Sequence, residues 1–438
     1  MGQSERQQAI RDVLERLDGI EALKQLFWHE LNYERINRSL SRRDWSPAAT
    51  NALAEDPLLF AGGGEGNDFH IIYARLASDR LRLGWERPVV ARLLREHPYS
   101  LFVFSNDKQD QWHFVNVRIA ERADEAAQRD AVKRPLFRRI TVGPDERLRT
   151  ACERLEMLDV AEVSRDLYGL SPLAIQQRHD EAFNVEKVTK DFFDTYCKVA
   201  FKPLCKYLEA ASEDETWSHD YALQFLNRVM FLYFVQRKRW LGDDTEFLAL
   251  LWKTYNGSGR AANTFVSEWL NVLFFEAFNK QFEPSKHKYL GDRICSALAT
   301  APFLNGGLFK PNELDKARKI PIPDDRFKPI FGFLESYNFT IAEDTPLDQE
   351  VAVDPEMIGK VYESLVNVSD DIDKRGDAGI FYTPRTEIDL MCRLSLVEYL
   401  HGQVAEGIEG KRNRDEEDEE DKKGKKGRKS PPKTGTTL

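Results

Sequence analysis

The residues in this chain best suited to chemistry are two clusters of cations and one aromatic–hydroxyl–proline turn. Arg237-Lys238-Arg239 is followed by Trp240, which puts three cations and an indole together at the end of a long apolar stretch. Such a run reads first as cations complementing a helix C-terminus, and second as phosphate contacts with an aromatic alongside. Lys133-Arg134 and Arg138-Arg139 form another basic cluster near a strand-like segment, open to the same two readings. Further on, Gly379-Ile380-Phe381-Tyr382-Thr383-Pro384-Arg385 reads as a turn feeding a helix. Thr383 suits an N-cap and Pro384 the first helical position, and Leu390, Leu394 and Val397 follow at i, i+4 and i+7. Taken locally, Phe381, Tyr382, Thr383 and Pro384 make a helix-capping turn.

Other chemistries find fewer of the residues they need. A metal-dependent nuclease of the Asp…(Asp/Glu)-x-Lys kind uses carboxylates to hold Mg²⁺ and a Lys to orient water. Within residues 1–160, Asp68 begins a strand, and Glu30 and Glu34 are spaced to share a helix face. The strands Leu101–Phe104 and His113–Val117 carry no Asp/Glu-x-Lys, and Asp107-Lys108 lies in a turn with the wrong spacing. The module is therefore expected to be degenerate nuclease-like or structural, with no catalytic residue. Gly62–Gly66 lacks the Gly-Lys-Ser/Thr that a phosphate-cradling loop requires and reads as a connector. The eight histidines stand apart in sequence, so no metal site is expected. Five cysteines, odd in number and without C-x-x-C, fit reduced thiols in a cytoplasm.

The elements that must position these residues follow from pattern. At roughly 150 residues per domain, 438 residues imply two or three domains. The net charge of −10 gives no global basic field, so any nucleic-acid contact must come from local patches. No apolar run reaches the roughly 18–20 residues that span a bilayer, and a cytoplasmic protein without membrane partners is expected. Residues 1–45 read as helical and 51–67 as a loop. Phe69–Leu76, Ser100–Ser105 and Trp112–Ile119 read as strands, with Arg138–Val142 as a fourth. Arg147–Asp159 closes this module as a helix. From Asn184 the chain turns to long helices: Val188–Leu208, then Tyr221–Leu241, apolar on most faces and capped by Gly242, then Val266–Phe282. Phe303–Phe309 is a turn between buried anchors. The divisions are 1–160, a mixed α/β module; 161–344, a mainly α-helical connector; 345–404; and a tail over 405–438. In that tail the acidic Asp415–Asp421 and basic Lys422–Lys429 cannot bury apolar surface, so disorder is expected.

Several blocks carry a family resemblance. Val185–Phe193, Leu226–Gln236, the Phe-Leu-Asn-Gly-Gly-Leu-Phe at 303–309, and the stretch from 345 to 391 occur in an order and spacing that resembles type IIG restriction–modification enzymes and their phage-defence relatives. The likeness covers roughly Asn184 to Leu400. It implies a helical connector leading into the start of a Rossmann-like, adenine-N6 DNA methyltransferase domain. It also implies that Phe381, Tyr382, Thr383 and Pro384 line an S-adenosylmethionine pocket in a completed assembly. The Asp-Pro-Ala-Cys-Gly-Ser-Gly loop and the catalytic Asn-Pro-Pro-Tyr of that family have no matching positions here. The expected partners are therefore DNA, a chain carrying the rest of the methyltransferase domain, and other defence-system proteins. The expected role is DNA engagement and scaffolding. The alternative is a non-catalytic interaction protein of a defence system.

Overall fold

The apolar runs expected as strands become the centre of a larger sheet, because their residues alternate between two cores. The structure, a computed structural model, describes residues 5–120, 134–165, 167, 169–304, 307–341, 348–355, 359, 383 and 387–404. Residues 1–372 pack as one compact unit and 373–438 as another. In the first, helices α1 (Glu5–Leu14) and α2 (Ile20–Gln25) precede strand β1 (Glu34–Ser39), helix α3 (Pro47–Asn51), and strands β2 (Leu58–Gly63) and β3 (Phe69–Arg75). Helix α4 (Leu83–Leu93) then crosses to β4 (Ser100–Ser105), β5 (Trp112–Ala120) and β6 (Arg134–Val142). The sheet order is β1 to β7 without permutation. Pairs β3–β4 and β6–β7 are parallel and the rest antiparallel.

Period-two alternation divides the strand side chains between the sheet faces. Phe69, Ile71, Leu101, Val103, Trp112, Phe114, Ile140 and Val142 join the larger core. Ile72, Ala74, Phe102, Phe104, Val115, Val117 and Phe137 join a smaller one under α3 and α4. Each fully buried side chain of this size contributes about 1.5–3 kcal/mol, so the central strands hold their register strongly.

The helical region continues the larger core without a break. It runs through α5 (Leu148–Glu156), α6 (Pro172–Ala182), α7 (Val185–Tyr196), α8 (Lys202–Ser212), α9 (Glu215–Arg237) and α10 (Phe247–Gly257). It then passes through α11 (Asp292–Thr300), α12 (Glu313–Ala317) and α13 (Asp324–Glu335). A π-turn at Cys197–Phe201 joins α7 to α8, and π-turns also fill Phe265–Ala277. Asp214 caps α9 by accepting from the Trp217 N–H at 2.9 Å. Helix α9 is buried on most faces, and even Arg228 on it is only 2% exposed. That guanidinium donates to both oxygens of Asp315 at 2.7 and 2.8 Å, and its Nε donates to the Leu308 carbonyl at 2.6 Å. The chain then returns to the sheet: β7 (Asp348–Glu350) pairs with Phe137–Arg139 of β6. In the second unit, residues 387–404 form helix α14.

Several elements differ from the sequence expectation. Residues 1–45 are helical only to Glu30; Asn32 takes a left-handed φ of 58° and the chain enters β1. Glu34 therefore lies on a strand and does not share a helix face with Glu30. The 51–67 stretch contains β2, and Gly62 and Gly63 lie within it. A Cβ on Gly62 would meet Ile36 Cδ1 at 2.5 Å, and one on Gly63 would meet Ile175 Cδ1 at 2.9 Å, so close packing accounts for both glycines. Gly242 is not the cap of α9. Arg239, at φ 59°, takes the left-handed position, and the Trp240 N–H donates to the Val235 carbonyl at 3.2 Å. Gly242 instead lets α11 approach, since a Cβ there would stand 2.8 Å from Ala297 Cβ. In the 303–309 turn Phe309 is buried but Phe303 is 54% exposed. Asn305, Gly306 and the tail lie outside the described residues.

Candidate nucleic-acid interface

The structure separates the two basic clusters into cations held firmly within the fold and cations left open to solvent or only loosely paired. At the end of α9, Arg237 donates to the Asp145 carbonyl at 2.9 Å and to Glu146 Oε1 at 2.7 Å. It thereby joins α9 to the loop between β6 and α5. Burial pushes the Glu146 carboxyl upward and Arg237 opposes that shift. Beside it, Arg147 bridges Glu246 at 2.6 Å and Glu335 at 2.8 Å. Arg147, Tyr233, Arg237, Tyr337 and Asn338 line a small cleft at this junction. Lys238 is exposed, as are Trp240 and Arg239; Arg239 makes long ion pairs to Asp145 (3.5 Å) and Asp243 (3.6 Å) and donates to the Asp243 carbonyl at 3.3 Å. Two of the three expected cations therefore face solvent, and the third is held within the fold.

The second cluster is divided by the pleat of β6. Arg139 is 5% exposed and lies opposite Glu350 of β7. Arg138 projects to the other face. Lys133 lies outside the described residues, and Arg134 stands at the first position of β6.

Arg138 has companions that the sequence reading passed over. On β5 the positions facing the larger core run Trp112, Phe114, Asn116, Arg118, so the face changes from apolar to polar along the strand. Asn116 pairs in register with Arg138, and Arg118 with Leu136, making Arg118 a diagonal neighbour of Arg138. Helix α6 brings Gln176 and Asp180 over them. Asn116, 1% exposed, donates from Nδ2 to Asp180 Oδ1 at 2.8 Å and accepts from Gln176 Nε2 at 2.9 Å. Gln176 also donates to the same Asp180 oxygen at 3.1 Å. Asp180 Oδ2 stands 4.0 Å from Arg118 Nε. Arg138 Nε is buried without a hydrogen-bond partner. Burial and the neighbouring Arg118 lower its proton affinity, against Asp180 and Glu186. The break in apolar alternation after Phe114 was the signal available in the sequence.

The histidines also differ from their isolated appearance in the sequence. His70 and His97 meet with Nδ1 atoms 3.2 Å apart, and burial, the partner ring and Arg38 push His70 down to about 4. His113 Nδ1 pairs with the buried Glu86 at 2.7 Å. Among the described residues no three His, Cys, Asp or Glu side chains are grouped to hold a metal ion, and Asp68 is exposed. Of the expected cofactor-pocket residues, Thr383 is exposed outside regular structure, while Phe381, Tyr382 and Pro384 lie outside the described residues. On α14, Leu390, Met391, Leu394, Val397 and Leu400 are each more than half exposed. Among the described residues no helix is long and apolar enough to cross a membrane.

The chain is similar to a protein of Methanocaldococcus jannaschii named "Putative type II restriction enzyme and methyltransferase", with 26% identity over 224 residues. The match covers 45% of this chain and 18% of that protein, so the chain spans less than a fifth of its relative. No protein-family model matches the chain, and no solved structure matches it. The likeness relates this chain to restriction–modification proteins.

Proposed function

We propose that these residues are the N-terminal portion, or a split subunit, of an adenine-N6 DNA methyltransferase from a restriction–modification or phage-defence system. Their role is to engage DNA and to scaffold the enzyme. Methyl transfer resides on polypeptide carrying the Gly-rich cofactor loop and the Asn-Pro-Pro-Tyr tetrapeptide, whether in the same protein or in a partner. The observation that carries this reading is the likeness to the methanogen protein, supported by the ordered motifs from Asn184 to Leu400.

Three requirements define the chemistry. The sulfonium donor needs a pocket, the exocyclic amine needs a polar acceptor, and the flipped base needs an aromatic to stack on. Phe381, Tyr382, Thr383 and Pro384 would supply one wall of the first, with S-adenosylmethionine bound only in the completed assembly. The other two requirements belong to the catalytic tetrapeptide. Helix α14 has apolar side chains on more than one face, and the exposed Leu394 and Val397 suit it to dock against the parallel sheet of a methyltransferase fold. DNA contact falls to the exposed Lys238 and Arg239 and to the sheet face around Arg138.

Incubation with tritiated S-adenosylmethionine and mixed-sequence DNA tests this division of labour. The purified 438 residues alone should label nothing above background, yet should bind duplex DNA with a salt-dependent affinity. Robust labelling by the chain alone contradicts the proposal, as does a failure to bind DNA at low salt.

A further inference from the structure

Arginine is charged at all accessible pH values and presents five donors, so an arginine buried beside another cation requires an acceptor. Arg138 lacks one at its Nε, and no ion pair to it forms among the described residues. The nearby Asp180 already accepts from Asn116 and Gln176 through Oδ1, and its Oδ2 leans towards Arg118 at 4.0 Å. Glu186 is exposed, which screens its attraction. Two guanidinium groups thus share Asp180, and the exposed Glu186 offsets only part of the remaining positive charge. Arg118 is 57% exposed while Arg138 is half-buried behind it, so the excess charge faces outward at the edge of the β5–β6 hairpin.

We propose that Arg118 and Arg138, braced by the Asn116–Asp180–Gln176 network, form a seat for one phosphodiester group of a duplex DNA backbone. A phosphodiester is a monoanion whose two free oxygens can accept from two guanidinium groups at once. Its single negative charge suits a site where two guanidinium groups outweigh the carboxylates near them. A free phosphate dianion would exceed that charge and would lack the enclosing donors that retain a small ligand. The seat reads no base, so it sets register along the duplex. It gives a specific location to the DNA engagement proposed above, and rests on that reading.

The test uses the full chain and a labelled 20-base-pair duplex, with affinity measured by fluorescence anisotropy across a chloride series. Releasing one phosphate contact lowers the slope of log affinity against log salt by about 0.9. Arg118→Gln, at an exposed position that should not disturb folding, is expected to lose about tenfold in affinity at low salt and about one unit of slope. Arg118→Lys should recover most of the slope and only part of the affinity, because a point charge replaces a planar fork. Arg138→Gln should match Arg118→Gln, with its melting temperature checked alongside. Inorganic phosphate at matched ionic strength should compete no better than chloride; preferential competition would assign the seat to free phosphate and overturn the proposal. Wild-type binding that both glutamine variants leave unchanged overturns the seat alone. Absence of wild-type binding overturns the seat together with the DNA-engagement reading.

Discussion

The end of α9 and the β5–β6 hairpin both carry neighbouring arginines, but the fold uses them differently. Arg237 has two internal partners, one a carbonyl and one a carboxylate, and is largely buried between α9 and the loop after β6. Arg138 sits beside a second cation and keeps a buried Nε without a partner. The first arginine holds two parts of the chain together. The second has no ion pair among the described residues, and in the proposed seat an external phosphate would meet the ends of the two guanidinium groups and not the enclosed Nε. A basic run in sequence therefore says little about binding until the carboxylates that the fold brings to it are known.

The largest expected effect lies at a third arginine that is still more enclosed. Arg228→Ala should cost about 3–5 kcal/mol in denaturant unfolding, because Asp315 would be left buried without its partner. Asp315→Ala should cost a similar amount, and the double variant less than the sum. Additive losses would show that the pair does not act as a unit.

The pH dependence should have opposite signs in the two regions. Burial holds His179 of α6 down to about 3, and its Nε2 meets the Tyr33 hydroxyl at 2.7 Å. The unfolded chain takes up that proton near 6.5 and the folded chain does not. Stability is therefore complete above 6.5 and falls as pH drops towards 3, by roughly 1 kcal/mol per pH unit. Glu335, at the Arg147 junction, is raised by burial. It keeps its proton in the fold to higher pH than in the unfolded chain, so its contribution declines as pH rises above 4.5. Unfolding titrations of His179→Gln should flatten the acid limb, and those of Glu335→Gln should flatten the opposing one. A His179→Gln variant that retains the full acid sensitivity would place the responsible group elsewhere.

Smaller effects should separate the two arginine sites. Arg237→Gln is expected to cost about 2 kcal/mol in stability, since it strands the largely buried Glu146. DNA affinity, measured where the variant is fully folded, should change less than about twofold. Lys238→Gln, at an exposed position, should change stability negligibly and affinity by about twofold.

How far the sequence predicted this arrangement depended on whether a signal was local. Strands β3, β4 and β5 are apolar runs with enough side chains for both cores, so their positions were legible. Strand β1, Glu-Arg-Ile-Asn-Arg-Ser, is an edge strand with mostly exposed side chains and no apolar alternation. Strand β7 is Asp-Gln-Glu, and only its pairing with β6 makes it a strand. Helix α9 was legible from its apolar run, but its cap was not. The Schellman-type ending places Arg239 where glycine is usual, and Gly242 serves contact with α11 instead. Arg138 and Arg139 read as one cluster, although a strand necessarily sends them to opposite faces. The polar change from Phe114 to Asn116 and Arg118 was visible within a recognised strand. Its meaning appeared only when α6 brought Asp180 across, 64 residues away in sequence. His70 and His97, 27 residues apart, met in the same way.

The central claim is tested most directly by measuring stability and DNA affinity together for Arg118→Gln and Arg237→Gln. The account predicts a crossed result: Arg118→Gln keeps the wild-type unfolding midpoint and loses about tenfold in affinity, whereas Arg237→Gln lowers the midpoint and keeps its affinity. The reverse pattern, or a loss of affinity confined to folded Arg237→Gln, would contradict it.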